Sequence, residues 1–205
     1  MKKMFAFLIA LLMVLPVSGL AVDAVSSATV SITEVPETTT HEDAKTLVIW
    51  FSTNDTVKAV ALTTADALEA DSFEIVPEQP YTEADLAYYT DGRCDKEQAD
   101  ASARPAIVSL PENLAQYDVI FIGYPIWHGQ APKILYTLLE SIDLSGKTIV
   151  PFCTSMSSGA GSSADKLAKL TGDTTVWMNA ARINNNSTAE QVREWALSAL
   201  EEATK

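Results

Sequence analysis

Short apolar runs alternate with amphipathic stretches along most of this chain. Unbroken apolar runs that are rich in β-branched and aromatic residues lie at residues 46–51, 118–122 and 147–153. Such runs, when turn residues bound them, are typical of strands that are buried on both faces of a parallel sheet. Residues 72–76 alternate between apolar and polar and predict a shorter strand, and residues 174–178 predict a weak one.

Amphipathic segments between these runs predict helices over residues 57–68, 132–140 and 164–170, where apolar positions recur at helical spacing. A last helix is predicted from about Ser187 to residue 202. Ser187 is the expected N-cap because Glu190 follows it at the spacing of a capping box.

Residues 77–104 are polar and rich in alanine, and we expect helix there with a break near Gly92. Tyr88 and Tyr89 in this stretch are expected to cover part of the sheet. Strands alternate with helices, and no internal repeat or second domain is visible. The pattern therefore predicts one α/β domain built on a doubly wound parallel sheet.

The first 24 residues have the pattern of a secretory signal peptide. Two lysines precede an apolar stretch at residues 5–15 that is too short to span a bilayer comfortably, and small residues suited to cleavage follow. An uncleaved N-terminal anchor is the alternative. We predict a signal peptide at residues 1–24, a flexible linker rich in Ser, Thr and Glu at residues 25–45, and a folded domain at residues 46–205.

These segments predict where the protein acts. Because no cysteine lies near the expected cleavage site, a lipid anchor is not expected. The prediction is an exported protein, periplasmic or extracellular, with no membrane insertion after the signal peptide is cleaved.

The composition is strongly acidic, with a formal net charge of −13. A protein of this charge repels nucleic acid and anionic membrane surfaces, so neither is an expected partner. Cys94 and Cys153 could form a disulfide in an exported protein, but Cys153 ends a predicted buried strand, where a free cysteine is common. No residues have the spacing of a metal site, and no metal is predicted.

Three loops follow predicted strands and should meet at one edge of the sheet. They are the first loop (residues 52–56), the aromatic loop (residues 124–131) and the serine-rich loop (residues 154–163). In open α/β sheets, ligands bind in the crevice at this edge.

Two of these loops allow two interpretations each. The first loop lies at a helix N-terminus, where N–H groups and hydroxyls could bind an anion, or Asn54 or Asp55 could simply cap the helix. In the aromatic loop, Trp127 could be a wall for a ligand or could cover the edge of the core.

Taken together, the loops resemble those of the flavodoxin-like family, in particular a bacterial branch with a Y-P-I-W-x-G second loop and a C-T-S-x-x-S-G third loop. Here these motifs read YPIWHG at residues 124–129 and CTSMSSG at residues 153–159, and the similarity runs from about Thr46 to the C-terminus. The resemblance implies a flavodoxin-like five-stranded parallel sheet of order 2-1-3-4-5 with helices on both faces.

The resemblance also implies FMN as cofactor and a role in electron transfer or oxidoreduction outside the cytoplasm. Whether the protein is an FMN-dependent oxidoreductase or a non-enzymatic electron carrier stays open. The implied partner is a redox protein or a small-molecule electron donor or acceptor, which the sequence does not identify.

By position, the resemblance assigns the FMN phosphate to the first loop, the isoalloxazine ring to the aromatic loop, and the closing side to the serine-rich loop. No residue is assigned a catalytic role, and His128 is expected at the solvent edge of its loop. The implied cofactor-binding residues are Ser52, Thr53, Asn54, Thr56, Pro125, Ile126, Trp127, His128, Gly129, Thr154, Ser155, Ser158 and Gly159.

The first loop departs from the family pattern. The usual motif is S-x-T-G-N-T, whereas residues 52–56 read STNDT, which is one residue shorter, lacks the glycine and carries Asp55. Glycine lets a backbone wrap a phosphate at positive φ, and a carboxylate at a helix N-terminus competes for the same N–H groups. The alternative hypothesis is therefore a flavodoxin-fold binding or interaction module that has lost FMN. A serine hydrolase is not supported, because the chain has no G-x-S-x-G motif.

Overall fold

The structure, a computed structural model, describes residues 44–205. The predicted signal peptide and the predicted linker up to residue 43 lie outside the described residues. No helix in the described range is long and apolar enough to cross a membrane. The elements in chain order are β1 (Thr46–Trp50), α1 (Asp55–Ala67), β2 (Asp71–Glu74), α2 (Glu83–Leu86), α3 (Arg93–Ala99), a short 3-10 turn (Leu114–Gln116), β3 (Val119–Pro125), α4 (Lys133–Ser141), β4 (Thr148–Thr154), α5 (Ser163–Ala168), β5 (Val176–Trp177), β6 (Ala181–Ile183) and α6 (Ala189–Ala203).

The strands form one parallel sheet in the order β2-β1-β3-β4-β5, which confirms the predicted fold class and strand order. β1 lies between β2 and β3, so that Ile49 pairs with Phe73 on one side and Ile122 on the other. The connection 77–104 contains the two short helices α2 and α3 with a break between them, as expected.

The far edge of the sheet has a sixth strand that the sequence pattern did not predict. β5 pairs with the first residues of β4 and β6 with its last residues, so two short strands share the fifth position. On this side of β4 the carbonyls of Lys147 and Ile149 accept hydrogen bonds from Val176 and Met178. The backbone groups of successive residues in a strand face opposite neighbours, so those of Pro151 face the same side as those of Lys147 and Ile149. Proline has no N–H to donate there. The single strand predicted over residues 174–178 is interrupted where β4 cannot donate.

Gly123 lies inside a strand rather than beyond its end. The sequence pattern predicted that the central strand stops at residue 122, but β3 continues to Pro125. A Cβ atom at Gly123 would lie only 2.3 Å from Cζ of Phe152 on the neighbouring strand. Glycine is therefore required for a close side-chain approach here, and it does not mark a break.

Helices cover both faces of the sheet, as predicted. Alternate residues of β1 point to opposite faces, so Ile49 joins a core with α4 and α5, while Val48 joins a core with α1 and α6. Trp195 of α6 packs edge-on against Phe121 and Phe152, with ring centroids 5.9 and 5.4 Å apart. With both faces covered, the carboxyl edge of the strands is where loops converge.

One local prediction, the N-cap of the last helix, was wrong, and one open question, the disulfide, was decided by the structure. The last helix is capped by Thr188 instead of Ser187, and Thr188 forms the capping box with Gln191. Both cysteines are buried free thiols, so the possible disulfide is not formed. Burial raises the pKa of Cys94 to about 12 and that of Cys153 to about 11.

Candidate functional site

The three predicted loops meet at the carboxyl edge of the sheet around a cavity of about 580 Å³. This volume lies within the range of small-molecule sites. All thirteen predicted cofactor-binding residues except Ser52 and Gly159 line the cavity. The lining also includes six residues that were not predicted, namely Leu86, Tyr88, Tyr89, Met156, Ser157 and Asn185.

The first loop caps α1 through Asn54. Its Oδ1 accepts a hydrogen bond from the N–H of Thr56 at 3.0 Å, and the hydroxyl of Ser52 donates to the carbonyl of Asn54. The helix-cap interpretation therefore describes this loop, and the Ser52 hydroxyl is used within it. Thr53, Asn54 and Thr56 still line the cavity at the positive end of the α1 dipole, which attracts anions.

Asp55 is the first residue of α1 and does not line this cavity. It is exposed and borders a separate groove together with Asn184 and Ser187. The carboxylate therefore does not block the cavity. Its charge still acts on the same helix N-terminus and weakens the attraction for an anion there.

The aromatic loop reverses in a tight turn at His128 and Gly129. Trp127 and Gln130 exchange backbone N–H···O bonds of 2.9 and 3.0 Å, and the two central residues have φ of +48° and +74°. These are the features of a type I′ turn, which glycine adopts without strain and histidine tolerates better than most residues.

Trp127 combines both interpretations that the sequence left open. The side chain lines the cavity, yet the residue is only 6% exposed. Its ring packs edge-on against Phe51 and Tyr81, with centroids 5.5 and 5.1 Å apart. Trp127 is therefore a core residue that presents a small part of its ring as a wall of the cavity.

Gln98 on α3 braces the aromatic loop from the core side. Its Nε2 donates to the carbonyls of Trp127 and Ala131 at 3.1 and 3.2 Å, and its Oε1 accepts from the N–H of Lys133 at 3.1 Å. One buried amide thus bonds to three backbone groups of the loop and of the start of α4, and the Trp127 carbonyl accepts a second bond from the Gln130 N–H. The sequence analysis missed Gln98, because no local pattern distinguishes it from other polar residues of its stretch.

The serine-rich loop is held by hydrogen bonds next to the strand end. The hydroxyl of Ser155 donates to the carbonyl of Ser158, and Nη2 of Arg182 on β6 donates to the carbonyl of Ser155 at 3.1 Å. Thr154 is buried at the end of β4, whereas Met156 is 93% exposed at the cavity. The loop supplies hydroxyls and one flexible apolar side chain.

The connection between β2 and β3 supplies a further side of the cavity that the sequence analysis missed. Tyr88 and Tyr89 follow α2, and their ring centroids lie 4.5 and 5.7 Å from that of His128. They border the cavity instead of covering the sheet. The available signal was a pair of adjacent aromatic residues directly before the turn sequence TDG.

His128 is half-buried and not at the solvent edge, because Asp95 and the two tyrosines surround it. Its Nε2 lies 2.8 Å from Oδ1 of Asp95, but the two groups are not aligned as a hydrogen bond. The contact is therefore electrostatic and does not count as a hydrogen bond. Desolvation works to raise the pKa of Asp95, but the N–H groups of the preceding turn and nearby His128 outweigh it and hold this pKa below its usual value.

The cavity thus has two chemically different parts. Leu86, Tyr88 and Trp127 give it an apolar aromatic side, and the first and serine-rich loops give it hydroxyls and a helix N-terminus. Neither lysine nor arginine lines it within residues 44–205. The arrangement suits a ligand that is planar and apolar at one end and anionic at the other.

Comparisons with known sequences and with solved structures identify the same family for this chain. Residues 45–199 match the sequence model of the flavodoxin family. Among solved structures, a candidate flavoprotein of Bacteroides eggerthii is 39% identical, covers 76% of this chain and 98% of its own, and superposes with a TM-score of 0.69. A candidate flavoprotein of Bacteroides uniformis is 37% identical over 74% of this chain and 97% of its own, with a TM-score of 0.70.

A more distant structure shows the same fold. A flavoprotein of Lactobacillus acidophilus, crystallised in complex with FMN, is 20% identical over 79% of this chain and 99% of its own, with a TM-score of 0.57. No curated protein matches the sequence.

Proposed function

Because this chain belongs to the flavodoxin family, we propose that it binds FMN in the cavity between the three loops and transfers electrons outside the cytoplasm. The observation that carries this proposal is the cavity itself. It joins an aromatic side to a helix N-terminus at the carboxyl edge of β1, β3 and β4, and that edge is where parallel α/β sheets bind ligands.

FMN supplies the electron-transfer chemistry when it is bound. The residues of the chain bind and orient it. Thr53, Asn54 and Thr56 hold the phosphate at the N-terminus of α1, and residues 125–129 line the ring. Thr154, Ser155 and Ser158 close the other side of the cavity.

Two of the implied residues, Ser52 and Gly159, do not line the cavity. Ser52 can contribute to phosphate binding only after its hydroxyl leaves the carbonyl of Asn54. Gly159 lies outside the cavity lining, so we assign it no contact. The Lactobacillus acidophilus flavoprotein has the same fold and was crystallised with FMN, which supports FMN as the ligand class.

The charge of the protein bears on its redox role. With a net charge of −13 and no basic side chain in the cavity lining of the described residues, the environment disfavours additional negative charge on a bound ring. This lowers the reduction potential of a bound flavin. The electron partner is a redox protein or a small molecule, and the protein is either an electron carrier or an FMN-dependent oxidoreductase.

The first experiment is a visible absorption spectrum of the purified protein, repeated after FMN is added and the sample is dialysed. The expected result is a retained flavin spectrum that Trp127→Ala weakens. Trp177→Ala is the matched control, because Trp177 is a partly buried tryptophan on β5 outside the cavity. A colourless protein that takes up no added FMN would contradict the proposal.

Export is a separate part of the proposal and rests on the residue pattern of the first 24 positions. Its test is the N-terminus of the protein recovered from the periplasm or medium, measured by intact mass. Cleavage near residues 21–24 is expected. An uncleaved chain that stays with the cytoplasmic fraction would contradict it.

The second candidate is a flavodoxin-fold interaction module without FMN. The observation that favours it is the first loop, in which the Ser52 hydroxyl and the Thr56 N–H already have partners within the loop. If the protein stays colourless, inserting one residue and replacing Asp55 by Gly tests this candidate. Restored FMN uptake would identify the short loop as the reason that the site was lost.

A further inference from the structure

An exposed aromatic residue at the cavity has an unfavourable backbone conformation. Tyr89 is 90% exposed although it lines the cavity. Its φ is +61°, and Asp91, two residues later, has a φ of +59°. The left-handed region is unfavourable for bulky residues, and such strain persists only where surrounding interactions over-determine it.

Asp95, in the first turn of α3, supplies those interactions. Its Oδ1 accepts from the N–H of Tyr89 at 3.2 Å, and its Oδ2 accepts from the N–H groups of Thr90 and Asp91 at 2.8 and 3.0 Å. The same carboxylate lies 2.8 Å from Nε2 of His128. One side chain therefore joins residues 88–91, which we name the tyrosine turn, to the aromatic loop.

The two tyrosines have different surroundings. Tyr88 is 46% exposed and packs edge-on against the imidazole of His128, with centroids 4.5 Å apart. Tyr89 lies farther from that ring, at 5.7 Å, and its side chain is almost fully accessible. Tyr88 thus braces the turn, and Tyr89 is the member that a ligand can cover.

We propose that the tyrosine turn is a preformed wall for the planar ring of the ligand, with Tyr89 as the contact residue and Asp95 as the positioning residue. The inference rests on the proposed binding of FMN and adds a contact that the three loop motifs do not assign. A flat aromatic ligand over Tyr89 removes the exposed apolar ring from water and adds an aromatic contact. That gain offsets the strain at Tyr89.

The experiment measures the affinity of the purified protein for FMN and for riboflavin, which lacks the phosphate, by quenching of flavin fluorescence. Circular dichroism of the flavin bands reports the ring environment. Tyr89→Gly is expected to weaken both affinities about tenfold, which corresponds to about 1.4 kcal/mol. Tyr89→Phe keeps the ring and is expected to bind both ligands as the wild type does.

Tyr89→Gly also separates binding from folding. Glycine adopts positive φ without strain, so the urea midpoint of this variant is expected to equal or exceed that of the wild type. Tyr89→Asn is a second variant that also tolerates this conformation and lacks the aromatic ring. A loss of flavin affinity without a loss of stability identifies a ligand contact.

Asp95 is tested by its effect on the ring signal. Asp95→Ala removes the acceptor for all three N–H groups, and we expect about tenfold weaker binding of both flavins together with changed circular dichroism. Asp95→Asn keeps one oxygen acceptor and is expected to restore part of the affinity. If Tyr89→Gly and Asp95→Ala bind both flavins with wild-type affinity and spectra, the proposal is wrong. If the wild type itself binds neither flavin, the proposed function fails together with this inference.

Discussion

The aromatic loop and the first loop border the same cavity but are held in different ways. The aromatic loop is braced by Gln98, a buried residue about thirty positions earlier in the chain, and its tip contacts Asp95. The first loop is partly exposed and is held by its own residues, through Ser52 and the cap at Asn54.

The aromatic loop is therefore already in a fixed shape before a ligand binds, whereas the first loop must first release hydrogen-bond donors. The aromatic loop keeps its shape because satisfied buried hydrogen bonds hold it, and a preformed wall lowers the cost of binding. In the first loop, the Ser52 hydroxyl and the Thr56 N–H already donate to Asn54, so an anion must displace these two bonds before it gains those donors. We therefore expect ring contacts to contribute more to FMN affinity than phosphate contacts.

The largest effect is expected from removing the brace of the aromatic loop. Gln98→Ala leaves the Ala131 carbonyl and the Lys133 N–H without their side-chain partner, whereas the Trp127 carbonyl keeps its bond from the Gln130 N–H. Each such group costs about 1–3 kcal/mol when buried, and with partial relaxation we expect the free energy of unfolding to fall by about 2–4 kcal/mol. Urea unfolding measures it.

Gln79→Ala is the matched control for this change. Gln79 is exposed, and no hydrogen bond in the described part of the chain uses its side chain. Its unfolding free energy is expected to change by less than about 0.5 kcal/mol. Equal stability of the two variants would show that the brace at Gln98 contributes nothing.

The next effect concerns β3, the strand that carries the aromatic loop. Gly123→Ala places a Cβ 2.3 Å from the Phe152 ring, and overpacking of this kind costs about 1–3 kcal/mol. Thermal unfolding is the measurement. Gly172→Ala, which meets no atom within 4 Å, is the control and should leave the midpoint unchanged. Replacing Phe152 by Leu in the Gly123→Ala background should recover part of the loss.

A smaller effect is expected at the first loop. Asp55→Asn removes a negative charge from the N-terminus of α1, where the phosphate is proposed to bind. We expect FMN to bind about two- to fivefold more tightly and riboflavin to bind as before, because only FMN carries the phosphate. Asp173→Asn, an exposed change between α5 and β5, is the control. Equal gains for FMN and riboflavin would refute a phosphate-side effect.

The smallest effect concerns pH. The pKa of Asp95 is lowered from its ordinary value of 3.8, so its contribution is complete above that value and is lost as the pH falls through the lowered pKa of the folded state. Below about pH 4 we expect the amides of Thr90 and Asp91 to lose protection, which means that they exchange faster relative to the intrinsic rate at the same pH. The Thr56 amide, which bonds to the uncharged Asn54, should show no such acid step. An identical acid step in Asp95→Asn would exclude Asp95 as its cause.

Much of the fold and most of the candidate cavity were predictable because the signals are local. The pattern of apolar residues marked five strand positions, and the strand order followed from a resemblance whose motifs lie in the loops themselves. These loops directly follow strands of a parallel sheet, so their residues had to converge at one edge. That is why all the predicted cofactor-binding residues but Ser52 and Gly159 line the cavity.

The errors have physical causes that lie between elements. Gly123 resembles a strand end, but its neighbour Phe152 requires it inside the strand. Pro151 on β4 divides the last strand position in two, although the sequence of residues 174–178 alone carries no sign of it. In both cases the deciding residue lies on a different strand.

The sequence by itself determined the class of the fold and the convergence of three loops at one edge, since both depend on patterns within a few consecutive residues. Its resemblance to the flavodoxin-like family supplied the order of the strands. Only the tertiary structure decided how the cavity is supported. Gln98, Asp95 and the two tyrosines belong to a polar connection with no periodic pattern, and they acquire roles only when α3 packs beside the aromatic loop. Contacts between residues thirty positions apart depend on the packing of whole elements, which no local pattern specifies.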